Sequence, residues 1–66
     1  MRAELTPREL AVLRWASFGR QVQEIAKELG LGTETIRSHL KKAQEKLQAR
    51  NRTHAVAEAM RQQLLL

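Results

Sequence analysis

Four polar residues, Glu34, Arg37, Ser38 and Lys41, recur along one segment at spacings of three, one and three positions. An α-helix turns by about 100° per residue, so this spacing gathers the four side chains on one side of a helix. Arginine and lysine carry several N–H donors on long side chains, which reach the O6 and N7 acceptors of guanine in a DNA major groove. The pattern therefore indicates hydrogen bonding to base edges.

The opposite side of the same segment is apolar. Ile36, Leu40, Ala43 and Leu47 fall within one narrow stripe of the helix, as expected for a face that packs on a core. A solvated surface helix would also be polar on its outer side, so this segment alone fits both interpretations. The glycine turn before it and the charge distribution of the chain favour the DNA interpretation.

A second amphipathic segment precedes the first. Val22, Ile25, Ala26 and Leu29 recur at the spacing of one helical face, and Gly30 follows, where a helix ends easily. We predict a helix from Gln21 to Leu29 and another from Gly32 or Thr33 to about Gln48. Two short helices joined by a glycine turn are typical of a helix-turn-helix, whose second helix lies in the major groove.

Helix signals continue on both sides of this motif. Thr6, Pro7 and Glu9 form a capping box with proline at the first helical position, which predicts a helix that Phe18-Gly19 closes. Asn51 or Thr53 can cap a fourth helix, predicted over Thr53 to Leu64. Because apolar and polar residues never alternate, no strand is expected. The predicted fold is all-α. It is one domain, residues 1–66, a four-helix bundle in which helices 2 and 3 form the helix-turn-helix.

The fourth helix carries more apolar surface than a small core obviously needs. Its stripe consists of Ala55, Val56, Ala59, Met60 and Leu64, and Ala57, Leu65 and Leu66 extend it. Core packing explains such a stripe. Pairing with a second copy explains it equally, since small residues such as Ala55 and Ala59 let two helices approach closely.

Positive charge is concentrated in the second half of the chain. The 66 residues carry a net charge of +5 with a sequence pI of about 10.8. Residues 1–35 hold five basic residues and five glutamates, whereas residues 36–66 hold seven basic residues and two glutamates. A one-sided basic patch indicates a polyanion partner. A membrane surface fits less well, because the basic helix lacks the bulky apolar face of interfacial helices.

Several function classes have little support. The chain has no cysteine, and His39 and His54 have no acidic partner at metal-ligand or catalytic-triad spacing, so we expect neither an enzyme nor a metal or cofactor site. No pocket for a small-molecule ligand is expected. No apolar run approaches membrane-spanning length and the start does not resemble a signal peptide, so a cytoplasmic, nucleoid-associated protein without a membrane partner is the expectation.

The motifs together resemble one known family. LTPREL-x-VL, G-x-x-x-x-EIA-x-x-LGL and T-I-x-x-H-L-x-x-A-x-x-KL, spread over residues 5–64, are similar to the LuxR-type helix-turn-helix domain, also called GerE-like or NarL/FixJ-like. LRWAS-x-G and KL-x-x-x-NR-x-HAVA-x-A-x-R resemble its quorum-sensing branch. In that branch an N-terminal domain binds acyl-homoserine lactones, so the resemblance implies that any signal acts on a domain outside this chain.

The resemblance also implies roles for particular residues. Base reading would fall on Arg37, Ser38 and Lys41, with Glu34 beside them. Phosphate contacts would fall on Thr33 and Thr35 and near the start of helix 4, and the basic side chains nearby extend this set to Lys42, Lys46, Arg50 and Arg52. Family dimers pair through the fourth helix, here through Val56, Ala59, Met60 and Gln63. This chain departs from many relatives at Gly32, where serine is common, and at Gln21, where a small hydroxyl residue is common.

The sequence thus predicts a double-stranded DNA-binding effector domain of a bacterial transcription regulator, of the quorum-sensing type, which binds inverted half-sites as a homodimer. Contact with RNA polymerase is implied by the resemblance alone. One alternative is a promoter-binding domain like sigma-factor region 4, which leaves the apolar fourth helix without a role. Another is a helical protein-interaction or dimerisation module without DNA binding, against which the basic charge of residues 36–66 argues.

Overall fold

Four α-helices make up the fold, and the structure, a computed structural model, describes residues 4–65. The helices are α1 (Pro7–Ser17), α2 (Val22–Leu29), α3 (Thr33–Lys46) and α4 (Arg52–Arg61), and no strand occurs among the described residues. The prediction of an all-α, four-helix fold is confirmed. Within the same residues, no helix is both long enough and apolar enough to cross a membrane.

The capping box predicted for α1 is present. The Thr6 hydroxyl accepts the backbone N–H of Glu9 at 3.1 Å, and the Glu9 carboxylate accepts the backbone N–H of Thr6 at 2.9 Å. Pro7 occupies the first helical position, where its missing N–H costs nothing. Residues local in sequence therefore form the cap of α1.

A single apolar core lies between the helices, and α1 and α3 each pack against the other three. Ile36 and Ala43 of α3 are fully buried, and Leu40 and Leu47 are nearly so, as their stripe predicts. Val12 and Leu13 of α1 and Ile25 of α2 are fully buried against them. The apolar side of α3 is consequently closed to solvent along its whole length.

The fourth helix differs from its prediction in two ways. It begins at Arg52 rather than Thr53, with Asn51, one of the two predicted caps, as its cap, and it ends at Arg61 rather than Leu64. Gln63 has a φ of +61°, and the backbone N–H of Leu64 turns back to the carbonyl of Ala59 at 2.7 Å. A left-handed residue cannot continue a right-handed helix, so the chain leaves the helix here. Helix α3 likewise ends before Gln48, whose φ is +54°.

The alanines of α4 belong to the core of the domain. Ala55 and Ala59 are both fully buried, so the small side chains let α4 approach the other helices rather than a second copy. Ala59, which was predicted to contact a second copy, therefore has no exposed area in this fold with which to do so. Gln63, assigned to the same surface, lies in the turn after α4, while Ala57 is exposed and Leu65 is buried. Leu66 lies outside the described residues.

One buried ion pair joins the start of α1 to the end of α3. The Lys46 ammonium donates to Oε1 of Glu9 at 2.8 Å, the same oxygen that accepts the Thr6 N–H. The Glu9 side chain is only 3% exposed, whereas that of Lys46 is 38% exposed. Burial raises the pKa of Glu9, but the bonds from Lys46 and Thr6 outweigh it and hold the pKa below its ordinary value of 4.5.

Replacing Lys46 by methionine should destabilise the fold, because Glu9 would remain buried without its cation. We expect a loss of about 1–2 kcal/mol in the free energy of unfolding, at the low end for a buried pair since Lys46 is partly exposed. Lys42→Met, on an exposed side chain of the same helix, removes the same charge and should cost less than half as much. Urea denaturation followed by circular dichroism measures both variants.

The same pair predicts a pH dependence. Because the folded-state pKa of Glu9 lies below 4.5, the stability that its carboxylate adds is present above pH 4.5 and disappears as the pH falls through the folded-state pKa. Wild-type protein should therefore lose more stability between neutral and acidic pH than Lys46→Met does. Equal acid sensitivity in the two proteins would show that the bridge does not contribute to stability.

Candidate nucleic-acid interface

A tight turn sets α3 at a defined angle to α2. Gly30 ends α2 in the left-handed conformation, at a φ of +66° and a ψ of +34°, which glycine adopts without a steric penalty. The next backbone N–H, that of Leu31, bonds back to the carbonyl of Ala26 at 2.9 Å. Leu29 and Leu31 pack against the core on either side of the glycine. This closure is the usual way in which a helix ends in a turn that a second helix can follow.

The structure places Glu34, Arg37, Ser38 and Lys41 together on one exposed side of α3, which we name the reading face. The buried stripe of Ile36, Leu40 and Ala43 lies on the roughly opposite side. With its inner side fixed in the core, α3 has no freedom to rotate. The reading face is thus held outward on a rigid element, which a surface that fits a groove requires.

Two cations and one carboxylate determine the charge of the reading face. Nη1 of Arg37 donates to Oε1 of Glu34 at 2.9 Å, and both side chains are open to solvent, 54% and 90% exposed. Lys41 has no ion-pair partner within residues 4–65. Free donors are therefore available on Lys41, whereas the Arg37 guanidinium shares its donors with a neighbouring carboxylate.

The residues predicted to contact phosphate lie around this face at different depths. Thr35, Lys42 and Arg50 are exposed, and Thr33 and Arg52 are half-buried. Lys46 is tied to Glu9, so its ammonium already has a structural partner. Phosphate binding by these side chains stays a prediction, and for Lys46 it competes with the ion pair.

Sequence reasoning did not identify what organises the connection between α3 and α4. The His54 backbone N–H donates to Oδ1 of Asn51 at 2.8 Å, and Nδ1 of His54 accepts the backbone N–H of Arg50 at 3.1 Å. Nε2 of His54 lies 3.6 Å from Oε1 of Glu58. These bonds hold the backbone between the basic residues Arg50 and Arg52 in one conformation. The spacing Asn51-x-x-His54 was the available signal, because a side chain three residues after a cap can bond back to the preceding backbone.

On α4, only part of the predicted dimer surface is open. Met60 is 46% exposed and Val56, one turn earlier, is half-buried, so the two lie side by side at the surface. Within the described residues, no group of three or more histidine or acidic side chains is arranged to hold a metal ion. The surface features within the described residues include the reading face, the basic side chains of α3 and of the start of α4, the small apolar patch on α4, and Phe18, which is 70% exposed after α1.

Comparison with known proteins points in the same direction. Residues 3–59 match the family described as bacterial regulatory proteins, luxR family. The chain is 48% identical over 61 residues to the transcriptional activator protein BjaR1 of Bradyrhizobium diazoefficiens, covering 92% of this chain and 25% of that protein. It is 46% identical over 59 residues to RpaR of Rhodopseudomonas palustris, an HTH-type quorum sensing-dependent transcriptional regulator, covering 89% of this chain and 24% of that protein.

A relative from another branch matches to a similar extent. The probable transcriptional regulatory protein NarL of Mycobacterium tuberculosis is 43% identical over 61 residues, which cover 92% of this chain and 28% of that protein. The chain thus spans about a quarter of the length of the curated relatives that it matches. Each of these relatives is, by its name, a regulator of transcription and not an enzyme.

The cap of α3 provides a test of how the reading face is anchored. Gly32 occupies the cap in an extended conformation, with a φ of −73°, no side-chain bond and open space where a Cβ would lie. Gly32→Ser adds a hydroxyl that can accept an orphan N–H of the first turn, whereas Gly32→Ala adds only the methyl group. The serine variant should be more stable than the alanine variant by about 1 kcal/mol. Urea denaturation measures the difference, and equal stability would mean that the cap is not formed.

Proposed function

The chain belongs to the luxR family of bacterial regulatory proteins, and from that premise we propose that it binds specific double-stranded DNA sites through α3 as the effector domain of a transcription regulator. The observation that carries this proposal is the reading face: four hydrogen-bonding side chains exposed together, opposite a stripe that is closed into the core. A solvated surface helix needs no such cluster of donors beside a turn that fixes its angle.

The charges around the reading face support binding to a polyanion. Lys42 follows Lys41 on α3, Arg50 lies in the connection to α4, and Arg52 is the first residue of α4. Cations in these positions neutralise phosphates and hold a protein in register, while side chains in the groove distinguish the bases. We therefore assign Arg37, Ser38 and Lys41 to base contacts, and the cations around them to the backbone.

Two copies of the domain are needed to contact enough base pairs to identify one promoter. One short recognition helix contacts only a few base pairs, so a monomer could not distinguish one promoter from many similar sequences. We propose that two copies pair through the patch of Val56 and Met60 and bind inverted half-sites about one helical turn, roughly 10 bp, apart. This patch is small, so pairing should depend on DNA to bring the two copies together.

Quorum sensing is proposed as the biological setting. The names of RpaR and of the VjbR proteins of Brucella species describe quorum sensing-dependent regulators, and the VjbR proteins are 46% identical over 56 residues. The chain covers only 22% of each VjbR protein. We therefore include in the proposal, rather than in the findings, a lactone-binding domain in the same regulator and contact with RNA polymerase.

Three substitutions separate base reading from phosphate binding. A binding site is first selected from a random duplex pool with the wild-type domain, and a scrambled duplex of equal length is the reference. Arg37→Ala or Lys41→Ala should weaken binding to the selected site by about 1–3 kcal/mol and relax preference at one or two positions. Arg50→Ala should weaken both duplexes alike and lower the slope of log affinity against log salt by about 1.

The opposite pattern would contradict this assignment of α3. If Arg50→Ala changed base preference while Arg37→Ala did not, a different surface would enter the groove. If wild-type affinity stayed constant between low and physiological salt, phosphate neutralisation would not contribute.

The pairing of two copies is tested at Met60. Met60→Glu places a charge in the proposed interface and should abolish cooperative binding to an inverted repeat, while half-site binding and helical content stay largely intact. Met60→Gln should act in the same direction without changing the charge, and Met60→Leu should keep cooperativity because it preserves an apolar contact. Titration of full and half sites, with circular dichroism as the folding control, measures all three. Cooperative binding by a folded Met60→Glu protein would rule out pairing through α4.

A further inference from the structure

The carboxylate on the reading face is the feature that simple phosphate attraction does not explain. Glu34 is the only acid among the four residues of that face, and it lies in the first turn of α3, the end expected to enter the groove. A major groove is bordered by phosphates on both sides, so a carboxylate carried into it is repelled. An acidic residue in this position therefore weakens binding to DNA in general unless a base donates a hydrogen bond to its carboxylate.

The bases can provide an amino group. Cytosine presents its N4 amino group in the major groove, and a glutamate accepts a hydrogen bond from it. Glu34 and Arg37 are already joined at 2.9 Å, so the two side chains are near enough to meet neighbouring base pairs. On a matching site, Arg37 transfers its donors from Glu34 to guanine and the carboxylate receives a base amino group in exchange. Where guanine or thymine faces Glu34 instead, the base presents only acceptors and gives the carboxylate no donor.

We propose that Glu34 is a specificity-determining residue that acts by penalty: its negative charge suppresses binding to DNA in which the base that faces it, beside the guanine read by Arg37, is a guanine or a thymine and so offers only acceptors. Specificity is a difference between two affinities, and an unpaired charge against wrong sequences raises it as effectively as a new contact to the right one. This inference rests on the proposed function, because it requires α3 to enter the groove. It goes further in assigning Glu34 the exclusion of non-cognate DNA rather than affinity for the site.

The test replaces the carboxylate by its neutral isostere. Glu34→Gln keeps the size and the carbonyl acceptor and removes the charge. Glu45→Gln is the matched control, because Glu45 is exposed on the same helix, eleven residues and about 16 Å further along the axis, and has no ion-pair partner within residues 4–65. Both variants have the same net charge. Affinities for the selected site and for its scrambled duplex are measured at several salt concentrations.

Glu34→Gln should bind the scrambled duplex about threefold to tenfold more tightly than Glu45→Gln does, and should show a lower ratio of specific to non-specific affinity. Repeating the selection with Glu34→Gln should show a relaxed preference at one base pair, next to the one affected by Arg37→Ala. Equal affinity of the two variants for scrambled DNA would overturn the penalty. Unchanged selection by Glu34→Gln would overturn the dependence of the penalty on the base that faces Glu34.

The outcome for the wild-type protein separates this inference from the proposal on which it rests. If the wild-type domain selects no sequence, the proposed function fails and Glu34 has nothing to restrict. If it selects a site but Glu34→Gln behaves like Glu45→Gln, DNA reading by α3 stands and only the role of Glu34 is wrong.

Discussion

Burial of one side of α3 is the constraint on which the rest of this molecule depends. Ile36, Leu40 and Ala43 are closed into the core, and α3 packs against all three other helices. Burial of a leucine or isoleucine side chain contributes about 1.5–3 kcal/mol and that of an alanine less, so rotation of α3 about its axis would expose several of these residues at a cost near the total stability of a small domain. The outward direction of Arg37 and Lys41 follows from this inward packing. The buried apolar residues of α3 therefore both stabilise the domain and hold the reading face towards solvent.

One cation of α3, Lys46, is bound within the fold and is not free to contact a ligand. Lys46 is on the same helix as Arg37, Lys41 and Lys42, but its ammonium closes on the buried carboxylate of Glu9. Leaving a carboxylate that is 3% exposed without a partner would destabilise the fold. The ion pair with Glu9 therefore stabilises the domain and competes with binding of Lys46 to a phosphate. Counting basic residues along α3 therefore overstates the charge available to a ligand. The positive charge that a ligand can reach lies on the reading face, at Arg37 and Lys41, on the neighbouring Lys42, and on Arg50 in the connection that His54 orders.

Local signals account for the parts of the fold that sequence reasoning predicted. Capping residues and the spacing of apolar side chains identified α1, α2 and the start of α3, because each signal involves residues within one or two turns. The ends of α3 and α4 were missed because Gln48 and Gln63 adopt positive φ values, +54° and +61°, which glutamine rarely does and which its type does not announce.

Contacts between distant residues explain the remaining differences. The bond between Glu9 and Lys46 spans 37 positions, and no periodicity relates them. Alanine is equally suited to a core and to a close interface, so the stripe of α4 left both interpretations open until burial assigned Ala55 and Ala59 to the core. For the site, the wheel of α3 predicted which side chains share its exposed side. It could not show that Arg37 is already bonded to Glu34, since side-chain pairing depends on rotamers as well as spacing.

A domain of this size must obtain specificity from few contacts. The reading face holds four side chains, and each good pair with a base discriminates by about 1–3 kcal/mol, while every accessible cation strengthens binding to all sequences alike. Adding cations would therefore raise affinity and lower selectivity. In the function that we propose, a carboxylate among the reading residues and a second copy on an inverted repeat would act in the other direction, because the first would lower binding to wrong sequences and the second would multiply the bases that must match. The placement of Glu34 beside Arg37 and the exposure of Met60 on α4 are consistent with a protein limited by discrimination rather than by affinity.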